Sequence, residues 1–175
     1  MSVTIATSLG DIKCELYCSL APRTTFNFLA LAASGAYTGS MFHRNIPGFM
    51  IQGGAPGKKG KGGESIWGGD FVDEFHPEAV HDRRGILSMA NKGPNTNRSQ
   101  FFITYERQPH LNNTYSAFGR VIGGWDVLDQ MERVQTGAKD RPVKEIELKG
   151  VVIHANPMAE QGVVYKTPDG GPTVE

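Results

Sequence analysis

The stretch GILSMANKGPNTNRSQFFITY, residues 85–105, decides the fold class. Its ends, GILSMA and QFFITY, are apolar runs too short for ordinary helices, and between them glycine, proline and asparagine favour turns over any regular element. The same texture extends outward, to GFMIQ at 48–52 and SAFGRVI at 116–122, with little helical periodicity. From 41 to 122 the chain therefore reads as an antiparallel sheet system or barrel.

The flanks add a few elements. Residues 3–7 and 12–18 alternate around Ser8-Leu9-Gly10-Asp11, which predicts a β-hairpin burying Ile12, Cys14, Leu16 and Cys18 and exposing Lys13, Glu15 and Tyr17. Pro22 suits a first helical turn, Phe26, Leu29, Ala30 and Ala33 recur at helical spacing, and Gly35 is placed to end the helix. A second helix fits 124–132, with Val127, Leu128 and Met131 on one face, and 143–154 returns to strand. Strands with two isolated helices suit a barrel whose open ends the helices cover.

At 175 residues and 39% hydrophobic content, the chain makes one well-cored domain, expected over 1–157, with a flexible extension over 158–175. Lysine plus arginine number 18 and aspartate plus glutamate 18, which leaves no net field for a nucleic-acid backbone or an anionic membrane. The opening MSVTIATSLGDIKCELY carries charge where a signal peptide needs an apolar run, and no stretch approaches the roughly 20 apolar residues of a membrane span, so a soluble cytoplasmic or nuclear protein is expected. Cys14 and Cys18, about 13 Å apart if extended, read as reduced thiols, and the sequons at Asn97 and Asn112 as chance. GGAPGKKGKGG at 53–63 lacks the P-loop spacing and reads as a solvated flexible loop. His43, His76, His81 and His154 show no metal-ligand grouping.

Two segments hold the candidate chemistry, FHRNIPGFMIQGG at 42–54 and SMANKGPNTNRSQFF at 88–102. They supply a guanidinium, amides and several rings, but no nucleophile, metal cluster or phosphate loop. Chemistry done there must avoid making covalent bonds, and rotation about a prolyl peptide bond qualifies.

Taken with GGESIWG (62–68) and FGRVIGGWDVLDQME (118–132), these strings resemble, in order, the cyclophilins, the peptidyl-prolyl cis-trans isomerases, across about residues 1–157. MSVTIATSLGDIK, QPHLNNTY and VVIHANP resemble the small cyclophilin J, or isomerase-like 3, branch. The resemblance implies a closed eight-stranded antiparallel β-barrel capped by two helices, a substrate groove on its outer face, and no cofactor. It implies Arg44 as the catalytic side chain and Phe49, Met50, Phe102, Leu111 and Tyr115 as the proline pocket. Gln52, Ala90, Asn91, Gln100 and His110 would serve the substrate's backbone and polar groups. Lys61, Gly69, Asp70, Lys92 and Ser99 would rim a neighbouring pocket, where two lysines suggest tolerance of an acidic residue before the X-Pro unit.

Two positions depart from the commonest pattern of the family: His110 stands where many members carry tryptophan, and Tyr115 where many carry histidine. The first should weaken binding of cyclosporin; the second should leave activity intact. The implied partners are proline-containing peptides and proteins, splicing factors among them by analogy, engaged by a monomer with no metal and no nucleic acid. The rival reading is a module that holds proline segments in a larger assembly with incidental turnover. The tail carries Thr167-Pro168 and Gly171-Pro172, X-Pro units able to reach the groove of their own molecule.

Overall fold

Alternation at the N-terminus becomes a hairpin: β1 (Ser2–Thr7) pairs antiparallel with β2 (Gly10–Leu16), from Ser2 opposite Glu15 to Thr7 opposite Gly10. The turn is tighter than the sequence suggests, because Thr7 Oγ1 donates to Gly10 O (2.7 Å) and accepts from Leu9 N (3.1 Å), which brings Gly10 and Asp11 into the strand. Ile12, Cys14 and Leu16 are buried as expected, whereas Cys18 falls beyond the strand and is half-buried. The computed structural model describes residues 1–154, so the expected extension over 158–175 and its X-Pro units lie outside the described residues.

Helix α1 (Pro22–Ala33) starts at Pro22 as read, but on a different face. Phe28, Leu29 and Leu31 are buried together with Thr24, Thr25 and Asn27, while Phe26 and Ala30 are half-buried and Ala33 is exposed. Polar residues enter the core because each is bonded there. Thr24 Oγ1 donates to Glu74 (2.7 Å), Thr25 Oγ1 to Ala21 O (2.9 Å), and Asn27 bridges Ile66 N (2.8 Å) and Arg98 O (2.9 Å).

Seven further strands follow: β3 (Ser40–Met41), β4 (Arg44–Ile46), β5 (Met50–Gly53), β6 (Ile86–Met89), β7 (Phe101–Thr104), β8 (Ala117–Gly123) and β9 (Glu147–Ile153). They form one nine-stranded sheet in the order β3-β9-β1-β2-β8-β6-β7-β5-β4, antiparallel at every ladder. Its edge strands β3 and β4 are joined by Phe42 and His43 alone, so the sheet has to curl until its two edges meet, which makes a barrel. The expected eight strands become nine because this single passage is split: β3 pairs with β9, and β4 changes partner to β5.

Phe28 anchors the barrel interior, with Tyr37 and Phe101 at 5.4 Å and Phe118 at 5.2 Å between ring centroids. Helix α2 (Trp125–Arg133) buries Val127, Leu128 and Met131, the face its periodicity requires. It begins at Gly124 (φ 81°), where a Cβ would sit 2.2 Å from Asp11 O. The last strand starts at Glu147, later than the sequence suggested.

Candidate functional site

Strict alternation splits GFMIQ and QFFIT between two faces. Asn45, Ile51, Ile103 and Leu87 stand opposite one another across β4, β5, β7 and β6, and all four are buried, the three apolar ones within the barrel core. The adjacent row, Arg44, Gln52, Phe102 and Ser88, therefore points outward, as does Met50 opposite Ile46. Met50 (2% exposed), Phe102 (4%) and Leu111 (6%) form an apolar cluster separate from the core, against which Ile46, Phe49, Ala90 and Tyr115 pack. An apolar cluster on a barrel's outer wall, apart from the interior core, suits a small apolar ring.

Three local structures shape this depression. Ile46-Pro47-Gly48-Phe49 is a turn closed by Phe49 N to Ile46 O (3.0 Å), with Pro47 preset for its first corner and Gly48 at the left-handed second (φ 75°). It presents Phe49 6.2 Å from the exposed His110 ring, at 33°. The single helical turn Pro109–Leu111 turns Leu111 inward and leaves His110 at the edge. Tyr115 meets Phe102 edge to face, with centroids 5.6 Å apart.

The polar side chains are committed unequally. Gln52 Nε2 donates to Gln100 Oε1 (2.9 Å), and Gln100 Nε2 donates to Gly62 O (2.9 Å), so one amide chain ties β5 to the glycine-rich loop. Asn91 donates to Thr114 O (2.9 Å) and accepts from Gly93 N (3.2 Å). Ala90 N donates to Gln100 O (3.0 Å). Arg44 is exposed and forms no salt bridge among the described residues. Its guanidinium keeps its donors available beside the depression.

A residue that sequence reasoning passed over lies behind Phe102. His81 is fully buried, and its ring stacks on Phe102 at 6.0 Å and 12°. His81 N donates to Asn112 Oδ1 (2.8 Å), which fixes that atom as oxygen, so the 2.8 Å contact from Nδ1 to the same atom makes Nδ1 the protonated nitrogen. Nε2 is then the acceptor for Ser88 Oγ at 2.8 Å. Burial holds the imidazole below its usual pKa, so the ring is neutral, as this pairing requires.

Beside the depression lies a recess of ≈ 270 Å³, lined by Asp70, Lys92, Thr96 and Arg98, by Gly62 and Gly63, and by the Gln52, Ala90, Asn91 and Gln100 wall that the two sites share. Of the five rim residues the resemblance implied, Asp70 and Lys92 line this recess, and Lys61, Gly69 and Ser99 do not. Ser99 is buried and donates to Gly54 O (2.8 Å), which holds it off the rim. Arg98 was missed, and it pairs with Asp70 (2.5 Å) and Glu64 (2.9 Å). The glycine-rich loop, expected to be free, is held at its backbone: Arg141 donates to Lys58 O and Lys59 O, while the lysine side chains stay exposed. No group of three or more His, Cys, Asp or Glu suited to a metal occurs among the described residues.

Comparison with known proteins bears on the whole arrangement. The family described as cyclophilin type peptidyl-prolyl cis-trans isomerase/CLD matches residues 2–153. The peptidyl-prolyl cis-trans isomerase CYP18-1 of Arabidopsis thaliana is 63% identical over 159 residues, 91% of this chain and 99% of the relative. The peptidyl-prolyl cis-trans isomerase-like 3 proteins of Dictyostelium discoideum and Homo sapiens are 58% and 53% identical over 161 residues, all of each relative. A crystal structure of a Cryptosporidium parvum cyclophilin type peptidyl-prolyl cis-trans isomerase, in the presence of the dipeptide Ala-Pro, superposes with a TM-score of 0.86 at 52% identity, covering 89% of this chain and 100% of that one. Matched from its second residue to the end of its last strand, and folded like that solved enzyme, this chain belongs to the cyclophilin-type peptidyl-prolyl cis-trans isomerases.

Proposed function

We propose that Arg44 is the side chain through which this peptidyl-prolyl cis-trans isomerase lowers the barrier to X-Pro rotation, with Phe49, Met50, Phe102, Leu111 and Tyr115 holding the proline ring. The observation that supports the reading is the outward row Arg44, Gln52, Phe102, which sets an uncommitted guanidinium two strands away from the floor of an apolar depression. The uncatalysed barrier is roughly 18–20 kcal/mol, while cis and trans differ by only about 0.5–1 kcal/mol, so the catalyst must act on the twisted state alone. Twisting removes amide resonance and leaves a basic lone pair on the proline nitrogen, to which a guanidinium donates without transferring a proton. Gln52, Ala90, Asn91, Gln100 and His110 take up the backbone on either side.

The recess is read as the place for the residue before the X-Pro unit. Arg98 is matched by two carboxylates, which leaves Lys92 as the cation facing that residue. An acidic side chain there is favoured over a basic one by a small, salt-sensitive factor, about two- to threefold, because the site is open to solvent. Peptides differing only by Glu or Lys at that place measure it, and equal turnover would remove the preference.

Exchange NMR on a short X-Pro peptide, comparing the wild type with Arg44→Ala, tests the central claim. The expected loss in kcat/KM is about 100-fold or more, since a lost charge-assisted donor costs roughly 2.7–4 kcal/mol. Wild-type exchange in the variant would remove Arg44 from the mechanism. Turnover lost while partner capture and cellular rescue survive would favour the proline-binding module over the enzyme as the selected role.

A further inference from the structure

Arg44, the side chain read above as acting on the twisted bond, stands on a weakly supported part of the sheet. β4 is 3 residues long, lies at the sheet edge, pairs with β5 alone and begins with Arg44. An isolated three-residue edge strand does not hold a side chain to the tolerance that catalysis requires, so something else must fix it.

We propose that the last turn of α2 does this, with Glu132 as a positioning residue for Arg44. The inference rests on the reading of Arg44 given above. Glu132 Oε2 accepts the Gly48 N–H (2.7 Å), at the corner that presents Phe49, and Glu132 Oε1 accepts from Arg84 (2.7 Å). Arg84 also donates to Tyr105 O (3.0 Å) and Asp129 Oδ1 (2.6 Å), and its guanidinium lies 5.2 Å from the centroid of the Tyr105 ring. Tyr105 then returns to the site twice: its N–H donates to Phe49 O (2.9 Å), and its hydroxyl donates to Asn45 Oδ1 (2.6 Å). Asn45 Nδ2 donates to Met131 O (2.8 Å), one residue before Glu132.

This closed circuit grips both ends of the β4 turn. Asn45 is fully buried and alternates with Arg44, so pinning the inward side chain of β4 sets the outward direction of the next one. Gly48 is held on both sides, its N–H by Glu132 and its carbonyl by Gln108 Nε2 (3.1 Å). Glu132 is 22% exposed and Arg84 27%, which shields their pair from solvent more than the other arginine pairs of the surface. A salt bridge serving only helix stability has no need to spend one carboxylate oxygen on a loop amide that carries a pocket residue.

The test uses the full chain and four variants: Glu132→Ala, Glu132→Gln, Arg44→Ala and the double variant Arg44→Ala with Glu132→Ala. Glu132→Ala is expected to lower kcat/KM about tenfold, mostly in kcat with peptide Kd within about twofold, because misplacement from afar is felt in the transition state. The Gly48 amide should exchange faster, while Leu87 in the barrel core keeps its protection. Glu132→Gln keeps an acceptor for Gly48 and loses the charge; it should fold as the wild type and lose about two- to threefold. In the Arg44→Ala background Glu132→Ala should cost less than about twofold, since the group it positions is gone.

Wild-type kcat in both Glu132 variants, or the same loss with and without Arg44, would overturn the proposal. If Glu132→Ala does not fold, wild-type kcat in Glu132→Gln alone overturns it. Full activity in Arg44→Ala is a different result: it removes the reading of Arg44 before any change at Glu132 is considered.

Discussion

Single side chains carry the differences between this chain and the pattern it resembles. His110 sits at the rim against Phe49 and offers less apolar area than an indole, with no indole N–H to donate. We expect His110→Trp to tighten cyclosporin binding about tenfold or more in a direct titration, with X-Pro turnover changed less; equal affinity in both proteins would discount this position. His81 gives a pH dependence whose sign is fixed. Burial lowers its pKa in the folded state, so below about pH 6.5 the unfolded chain binds a proton that the folded one does not. Stability is therefore complete above that pH and declines as pH falls below it. His43, also lowered by burial, acts in the same direction. Urea unfolding at pH 7.5 and 5 should show a steeper acid loss in the wild type than in His81→Gln, and parallel losses would refute the assignment to His81. No sequence signal marks His81, because its partners Ser88 and Asn112 are met only across the folded sheet.

Secondary-structure elements were legible where their own pattern governs them. α2 was readable because Val127, Leu128 and Met131 recur on one face and nothing polar enters it. α1 misled because Thr24, Thr25 and Asn27 take interior positions that only distant partners make tolerable. The same distance hides its cap. α1 has no side-chain N-cap of its own; Glu74 accepts from Arg23 N (3.2 Å) and Thr24 N (2.6 Å) and places a negative charge at the positive end of the helix. Glu74→Ala should destabilise the fold by about 1–2 kcal/mol, the cost of a lost cap, read as a lower urea midpoint at unchanged m value. An unchanged midpoint would show that water replaces the carboxylate without loss.

At the scale of the whole molecule, two apolar clusters with separate tasks share one sheet. The interior cluster around Phe28 holds the barrel, and the outer one around Phe102 is the proposed seat of the proline ring. Phe28→Ala should cost about 3–5 kcal/mol in stability, as for a large aromatic removed from a closed core, while the folded fraction keeps its kcat/KM. Phe102→Ala, at a side chain only 4% exposed, should also cost about 3–5 kcal/mol, yet the folded fraction should lose most turnover. Chemical denaturation and exchange NMR on both variants measure the two effects, and losses that track one another would mean that the clusters are not separate.

Local sequence alone determined the elements and the chemical inventory. Short apolar runs between turn residues favour strands, a guanidinium among rings without a nucleophile favours non-covalent chemistry, and the ordered strings from 42 to 132 pointed to the family. Tertiary structure decided which side of each strand those residues occupy and what supports them. The period of a strand tells which residues share a face, but which face is inside depends on where the sheet closes, and closure here runs through the two-residue link between β3 and β4. Asn45 to Met131, Glu132 to Gly48 and His81 to Ser88 are likewise bonds between residues that neither period nor composition relates. They form because burying a polar group demands a partner, and only the closed barrel determines which partner is within reach.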